Sequence, residues 1–442
     1  MLAGPEFSCK TKWDGYEAMR PTRREFVRGG VAAAVTGFAA RGFLSDLARA
    51  QSASGRSLVV LYLGGGNDAL SFLVPYTDQA YYARRPTLAI PADRVLQVGS
   101  DSSGRALGLH PELSGFKAML DDGVLALLQR TGYPYSSRSH FRGLDVLSTA
   151  SPLQPLGRGW LGHYLDRLPA PVDPLMAWNA QGQLPRTLLA NTVGVPSIPD
   201  LATYAFSSPN SAFSLVEAEQ SREAAGRLLA HGAADARNTH VSFVNATAQA
   251  AFDTLDRVGL VAAHTPTVNY PGTGLGSALH AVGSAIATGV GTQLYWVQTG
   301  GYDTHARQNT LTGSYAGLMR TLDGAVSAFY TDLKNQRLLD QTLVLVFSEF
   351  GRRVSENGSN GTDHGSGGLM LAFGGRVRGG IYGRTASLEQ RPDNPDLEYG
   401  GRDVRFETDF RAVYARIIDH WLGADSSQIL GADFRQAGVE FI

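Results

Sequence analysis

The 442-residue chain contains little cysteine and no excess of charge of either sign. Its one cysteine, Cys9, lies close to the N-terminus, so the rest of the chain can form no disulfide, cysteine nucleophile or thiolate metal site. The 39 Lys and Arg residues balance 40 Asp and Glu residues, which gives no indication of nucleic acid as a partner. The 52 glycines follow no fixed period, which excludes collagen-like and simple repeat architectures.

Residues 1–50 are predicted to be an N-terminal extension followed by a signal peptide. Arg23 and Arg24 precede a weakly apolar stretch of small residues, and Ala48-Arg49-Ala50 has the small-x-small pattern of a cleavage site. This combination predicts export by the twin-arginine translocase to the bacterial periplasm or the exterior. The apolar stretch is too short and too interrupted for a stable membrane span. A basic amphipathic anchor helix is the alternative. Residues 1–18 precede Met19 and are interpreted as a misassigned start or added sequence.

Short apolar runs alternate with helical patterns along residues 51–442. The strand candidates are Ser57–Leu63, Val124–Gln129, Gln293–Gln298, Thr342–Phe347 and Leu369–Phe373, and the helix candidates are Pro111–Asp121, Ser314–Arg337 and Thr408–Leu422. The alternation predicts a single α/β domain with a largely parallel central sheet and helices on both faces. Residues 210–263 are rich in alanine and polar, with few strand signals, and they are predicted to form two helices. The stretch at about 150–290 that contains them is predicted to be a helical cap or insertion beside the sheet.

Polar residues that could carry chemistry follow four of the predicted strands, at the carboxyl ends where ligands bind in open α/β sheets. They are Asp68, Ser139, His140, Asp303, His305, Glu349, Asp363 and His364. Each has a structural alternative, such as a helix cap for Asp68 or an ion pair with Arg352 or Arg353 for Glu349. Their recurrence on four strands predicts a metal or acid–base site.

The residue types favour a divalent metal over other chemistries. Carboxylates and neutral imidazoles suit zinc best, while calcium, magnesium or manganese remain possible ions. A hydroxyl beside such an ion can act as a nucleophile, and Ser139 at a predicted helix start is placed for this role, with Ser136 and Ser137 as alternatives. Arg138 could neutralise the transferred group. No phosphate loop follows the Gly64–Gly66 run, and no Gly-x-Ser-x-Gly nucleophile elbow is present.

The strand-end motifs resemble those of a large family of bacterial proteins exported by the twin-arginine route, which is known as a domain of unknown function. That family is grouped with the alkaline phosphatase and sulfatase superfamily. The resemblance covers nearly all of residues 22–442, and the motifs that carry it are Leu61–Asp68, Ser137–Phe141, Gly300–His305, Phe347–Arg352 and Gly361–Gly365.

The superfamily resemblance implies roles for several of these residues. Asp68 matches a metal-binding Asp after the first strand, Ser139 a nucleophile at the start of the next helix, and Asp363-His364 a late metal-binding pair. Asp303 and His305 match an earlier Asp and His at a shorter spacing than in alkaline phosphatases. The late metal-binding His usual in alkaline phosphatases has only His420 as a counterpart, inside a predicted amphipathic helix. A one-metal site, or one that uses Glu349 or His140, therefore stays open beside a two-metal site.

The sequence thus predicts an exported hydrolase of phosphate or sulfate esters that uses one or two divalent ions and acts on a small or polymeric substrate. Ser139, Arg138, His140 and Glu349 are the predicted catalytic residues, and the predicted metal ligands are Asp68, Asp303, His305, Asp363 and His364. The alternative is a non-catalytic protein of the same fold with at most a structural metal, acting in envelope or extracellular assembly. The sequence makes no prediction of the oligomeric state.

Overall fold

The computed structural model describes residues 55–170, 172–201, 204, 215–232 and 239–442. The predicted extension and signal peptide at 1–50 lie outside the described residues. The larger of two compact units contains the described residues between 55 and 204 together with residues 254–442, and the second contains the described residues between 215 and 253. None of the described helices combines the length and the apolar character that a membrane span requires.

The strands lie close to the apolar runs of the sequence. In chain order they are β1 (Ser57–Leu63), β2 (Leu73–Val74), β3 (Leu96–Ser100), β4 (Ala106–Leu109), β5 (Leu125–Gly132), β6 (Ala177–Asn179), β7 (Leu294–Thr299), β8 (Thr342–Phe347), β9 (Gly368–Phe373), β10 (Gly380–Tyr382), β11 (Leu397–Glu398), β12 (Asp403–Val404) and β13 (Thr408–Asp409).

The helices of the described residues alternate with these strands. They are α1 (Ala69–Phe72), α2 (Gln79–Arg84), α3 (Ser114–Asp121), α4 (His140–Thr149), α5 (Trp160–Leu165), α6 (Leu215–Gly232), α7 (Thr239–Ala262), α8 (Gly274–Thr288), α9 (Ser314–Asn335), α10 (Phe410–Ile417) and α11 (Ser426–Leu430). The predicted helix Thr408–Leu422 is observed as β13, α10 and a π-helical turn over Ile418–Leu422.

The central sheet is mixed but mostly parallel. Its strands lie in the order β10-β5-β9-β8-β1-β7-β6, and β13 also pairs with β5. β1 is parallel to both β7 and β8, whereas β9 is antiparallel to both β8 and β5. β5 therefore points the same way as β8, and the carboxyl ends of β1, β5, β7 and β8 lie along one edge.

The central strands are apolar throughout because both faces of the sheet are covered. Val59, Leu61 and Leu63 of β1 pack into a core with residues of α3, α8 and α9. The alternate residues Leu58 and Val60 pack into a second core with residues of α4, α5 and α10. The predicted α/β fold, with a largely parallel sheet and helices on both faces, is confirmed.

The stretch at about 150–290 contributes more to the main unit than a cap or insertion would. β6 forms an edge strand of the central sheet and pairs in parallel with β7. Helix α8 buries Leu279 and Val282 in the core beneath the sheet. These two segments of the predicted insertion therefore belong to the sheet and its covering layer. Strand β6 is short and helix α8 is rich in alanine, so neither has a clear pattern in the sequence. The burial of both depends on the strands beside them.

Candidate metal centre

Four side chains from three loops converge at the carboxyl edge of the sheet. His140 begins α4 after β5, Asp303 and His305 follow β7, and His364 lies in the connection from β8 to β9. The Nε2 atoms of His305 and His364 are 2.8 Å apart, and each lies 3.0 Å from Asp303 Oδ1. The Nε2 atom of His140 is 3.4 Å from the same oxygen. Three imidazole nitrogens therefore lie within 3.4 Å of one carboxylate oxygen.

The second nitrogen of each imidazole faces an acceptor that orients the ring. His140 Nδ1 lies 2.5 Å from Glu349 Oε1, His364 Nδ1 lies 2.7 Å from the Arg138 carbonyl oxygen, and His305 Nδ1 lies 3.4 Å from Asp363 Oδ1. These acceptors place the proton on Nδ1, so that each Nε2 presents a lone pair to the cluster. Phe350 packs under the rings of His140 and His364, with centroids 5.0 Å and 4.8 Å away.

The converging atoms fit a divalent metal ion. Lone pairs at these separations repel one another unless a cation lies among them, and His140 Nε2 is buried without any hydrogen-bond partner. Ligands about 2.1 Å from a tetrahedral ion lie about 3.4 Å from one another. The three imidazole nitrogens lie 3.0–3.4 Å from Asp303 Oδ1. His140, Asp303 and His364 have ligand atoms that all lie within 4.8 Å of one another. The set of imidazole nitrogens and one carboxylate suits zinc.

The electrostatic surroundings keep the ligands in metal-binding form. Burial raises the pKa of the Asp303 carboxyl, but the hydrogen bond and the charge of Arg352 outweigh this and hold that pKa well below its usual range. Burial lowers the pKa of His364, which favours the neutral imidazole. The Asp303 side chain is nevertheless 46% exposed and that of His305 43% exposed, so one side of the centre is open to a ligand from solution.

A glycine turn at the end of β1 contacts both Glu349 and Asp303. The Gly65 amide donates to Glu349 Oε1 at 2.9 Å, which fixes the carboxylate that orients His140. Gly65 has a φ of +122°, and a Cβ at this position would lie 2.4 Å from the backbone nitrogen of Asp303. The turn therefore requires glycine both for its conformation and for the close approach of two loops.

Substitution Gly65→Ala is expected to lower metal affinity by at least about tenfold, because the added methyl group displaces Asp303 and the Glu349 carboxylate together. Isothermal titration of zinc into the metal-free variant measures the change. Gly182→Ala is the matched control, since a Cβ at Gly182 meets nothing within 4 Å. Unchanged zinc affinity in Gly65→Ala would contradict the assigned role of the turn.

Asp68, predicted to be a metal ligand, takes part in a contact set different from that of the four clustered side chains. Its carboxylate is buried and forms two contacts with Arg85, at 2.6 Å and 3.0 Å. Ser71 Oγ and Gln308 Nε2 also donate to it, at 2.6 Å and 2.7 Å. With four donors around it, the Asp68 carboxylate is occupied by the protein and links the segments that carry these residues.

Three other predicted residues take different roles from those expected. His140, predicted to be catalytic, lies among the metal-facing groups. Glu349, also predicted to be catalytic, is buried and orients His140. Asp363, predicted to be a ligand, accepts from Asn357 at 3.0 Å and from Arg353 at 2.8 Å and faces the outer nitrogen of His305. Spacing along the chain does not distinguish a residue that belongs to the candidate metal centre from one that supports it.

The loop before α4 carries the candidate nucleophile. Ser139 is exposed, occupies the N-cap position of α4 and makes no capping hydrogen bond with its side chain. Ser137 Oγ accepts from the Ser139 amide at 3.2 Å, and Ser136 is buried. Of the three serines, Ser139 is the exposed one and directly precedes His140.

The Arg138 side chain is paired within the protein. Its Nε and Nη2 atoms lie 2.9 Å and 2.5 Å from Asp403 Oδ2, and the guanidinium carbon lies 3.8 Å from the centroid of the Tyr399 ring. The predicted role of Arg138 in neutralising a transferred group is therefore weakened by its pairing with Asp403. Asp403, Tyr399 and Arg85 were missed by the sequence reasoning, because each lies far along the chain from its partner without a local motif.

Two histidines outside the cluster have structural contacts. His110 is buried, with Nε2 2.7 Å from the Thr310 carbonyl oxygen and Nδ1 accepting from the Glu112 amide at 3.1 Å. His420 is exposed and lies 2.8 Å from an Arg416 nitrogen. Neither belongs to the metal-facing group, so the ligand that alkaline phosphatases place late in the chain has no counterpart in this cluster.

The fold and the cluster define an α/β protein with a candidate metal centre at the carboxyl edge of its sheet. A family model described as "Protein of unknown function (DUF1501)" matches residues 125–430. This match covers more than half of the chain, and the protein therefore belongs to the DUF1501 family. The matched residues include all four metal-facing side chains.

Comparisons with individual proteins add little to this assignment. No curated protein matches the chain. Among solved structures, the phosphonate monoester hydrolase SpPMH from Silicibacter pomeroyi is 12% identical, with 79% of this chain and 74% of that chain covered and a TM-score of 0.26. A similarity this low supports no conclusion about the activity of the present chain.

Proposed function

We propose that this protein is a metal-dependent hydrolase of phosphate or sulfate esters with a single divalent ion, most suitably zinc. The convergence of His140, His364 and Asp303 carries the proposal, together with His305, which contacts His364 and Asp303 at the side open to solvent. A closed site with every ligand buried would instead be typical of a structural ion. A divalent ion bound there would polarise an oxygen of the ester and stabilise negative charge that develops during transfer.

The charges around the centre favour an anionic substrate. Asp303, Asp363 and Asp403 pair with Arg352, Arg353 and Arg138, respectively. Glu349 is a fourth carboxylate and contacts His140 instead. Four carboxylates against three guanidiniums leave one negative charge, which a divalent ion converts to one positive charge. A phosphate or sulfate ester is attracted to such a site, and the half-exposed edge allows it to enter.

Ser139 is the proposed nucleophile. Its exposed hydroxyl lies at the N-terminus of the ten-residue helix α4, where unpaired amide groups favour an anionic ester. Attack by Ser139 Oγ on phosphorus or sulfur would release its proton to solvent and break the bond to the leaving oxygen, which takes up a proton. Water then displaces Ser139 and completes hydrolysis. His140, the next residue, couples the position of this serine to the metal centre.

The place of action is proposed from the N-terminal sequence. The paired Arg23 and Arg24, the small-residue stretch and the Ala48-Arg49-Ala50 pattern support export by the twin-arginine translocase to the periplasm or beyond. Replacement of both arginines by lysine is the direct check of this route, with the protein then expected to accumulate in the cytoplasm.

Ser139→Ala is expected to reduce kcat for phosphate or sulfate esters by at least about 100-fold, because the covalent step loses its nucleophile. Turnover of an ester panel by the zinc-loaded protein, with and without chelator, provides the measurement. Ser137→Ala is the matched control and should retain most activity. Full activity in Ser139→Ala would refute the assignment of the nucleophile. Stoichiometric metal together with no turnover of any ester by the wild-type protein would favour the non-catalytic alternative.

A further inference from the structure

Tyr399 is a half-exposed aromatic side chain in the turn between β11 and β12. Its φ is +51°, a left-handed conformation that is uncommon for residues other than glycine and that persists where surrounding contacts hold it. Gly400 and Gly401 continue the turn at φ values of +71° and +78°. Arg402 Nε donates to the Tyr399 carbonyl oxygen at 2.9 Å and braces the turn. The ring remains 39% exposed.

The Tyr399 ring is connected to the metal centre through Arg138. The guanidinium of Arg138 packs on the ring, with its carbon 3.8 Å from the centroid, and Asp403 holds the same guanidinium. The Arg138 carbonyl oxygen is the acceptor for His364 Nδ1, and the next residue is Ser139. The ring therefore packs on the side chain of the residue that precedes the proposed nucleophile.

We propose that the exposed part of the Tyr399 ring binds a ring in the substrate, and so selects phosphate or sulfate esters of ring-bearing alcohols. The proposal rests on the proposed function, since it names the substrate class of the same site. An aromatic or sugar ring can pack against tyrosine, and the fixed position of the Tyr399 ring on Arg138 reduces the entropy lost on binding. Tyr399 is thus a specificity-determining residue outside the group that faces the ion.

The pairing of Arg138 supports this role for Tyr399. Asp403 is buried and balances the charge of Arg138, and Ser366 Oγ also donates to Asp403 Oδ2 at 3.0 Å. Arg138 is therefore held as a fixed support for the ring. The cation–π contact is formed before any substrate arrives, and the exposed part of the ring is available to the substrate.

Kinetics of the zinc-loaded full chain with phenyl phosphate, glucose 1-phosphate and ethyl phosphate test the proposal. Tyr399→Asn removes the ring but keeps a residue that tolerates the left-handed conformation, and Tyr399→Phe retains the ring. Tyr399→Asn is expected to raise KM for the ring-bearing esters about five- to tenfold while leaving ethyl phosphate within about twofold. Tyr399→Phe should resemble the wild type. The phenyl and glucose substrates distinguish an aromatic from a sugar ring.

Equal losses on phenyl, glucose and ethyl esters in Tyr399→Asn would overturn the proposal, because they would indicate a purely structural turn. If the wild type hydrolyses none of the three esters, the proposed function fails. Equilibrium binding of phenylphosphonate and ethylphosphonate then tests the role of Tyr399 without any need for turnover. A phenyl preference that is lost in Tyr399→Asn and kept in Tyr399→Phe supports it. The same affinity for both compounds in the wild type overturns it.

Discussion

His364→Ala is expected to leave the purified protein without stoichiometric divalent metal. His364 Nε2 contacts both His305 Nε2 and Asp303 Oδ1, so its loss removes the group that lies between two others. We expect zinc affinity to fall by at least about 100-fold. This is more than the loss of a residue that only orients a metal ligand usually causes. Elemental mass spectrometry of protein purified without chelator gives the stoichiometry, and a competitive chelator titration gives the affinity.

A graded series of variants separates the metal-facing groups from those that support them. Glu349→Gln preserves an acceptor for His140 Nδ1 but removes the charge, and we expect zinc affinity to fall by about 10- to 100-fold. His420→Ala is the matched control, since His420 is an exposed histidine outside the cluster. Equal metal content in the wild type and in His364→Ala would exclude the proposed centre. Equal losses in His364→Ala and His420→Ala would indicate nonspecific binding.

Arg85→Ala is expected to lower the free energy of unfolding by about 3–5 kcal/mol, because it leaves the buried Asp68 carboxylate without its counter-ion. Both side chains are almost fully buried, with exposed fractions of 0% for Arg85 and 1% for Asp68. Arg85 also donates to the carbonyl oxygens of Val354 and Arg353. Urea unfolding monitored by circular dichroism measures the loss.

Two further variants test the origin of this instability. Asp68→Asn combined with Arg85→Met removes both charges while keeping a side chain that can bond to Ser71 and Gln308, and it should recover much of the loss. Arg320→Ala is the control for an ion pair at the surface, since Arg320 pairs with Glu112 in solvent, and it should change stability little. Similar stability of Arg85→Ala and the wild type would show that the buried pair does not hold these segments together.

The Asp68–Arg85 pair also predicts how the free energy of unfolding depends on pH under acidic conditions. Burial raises the pKa of Asp68, but the charge and hydrogen bonds of Arg85 outweigh burial and lower the folded-state pKa. The unfolded chain has an Asp pKa of about 3.9. The contribution of Asp68 to stability is therefore fully present above this pH and is lost as the pH falls through the lower folded-state value. Asp68→Asn should consequently show a flatter decline of stability below about pH 4.

The fold was predictable because local pattern and tertiary burial agree for the central strands. Seven consecutive residues of β1 are buried, and a continuous apolar run can be buried only where both faces of a sheet are covered. The short edge strand β6 and helix α8 were assigned to an insertion instead. A strand of three residues is too short to show a hydrophobic period in the sequence. An alanine-rich helix has the same sequence pattern whether it covers a sheet or lies outside it.

The edge on which the centre lies was predictable for a topological reason. Parallel strands end on one side of the sheet, so Asp303, His305 and His364, which follow β7 and β8, had to lie along the same edge. Which of the neighbouring residues belong to the candidate metal centre was not predictable. Asp68 follows β1 just as Asp303 follows β7, yet the Asp68 carboxylate is paired with Arg85. His140 faces the cluster because Glu349 orients its ring.

The sequence by itself determined the α/β class, the edge of the sheet where polar residues gather and the chemical types present there. These properties follow from strand direction, apolar runs and residue identity, all of which are local or topological. Only the tertiary structure decided that three imidazoles gather around Asp303, that Glu349 and Asp363 support them, and that Asp68 is paired with Arg85. The physical reason is that a carboxylate or imidazole takes its role from the partner nearest in space, and those partners lie tens to hundreds of residues away along the chain.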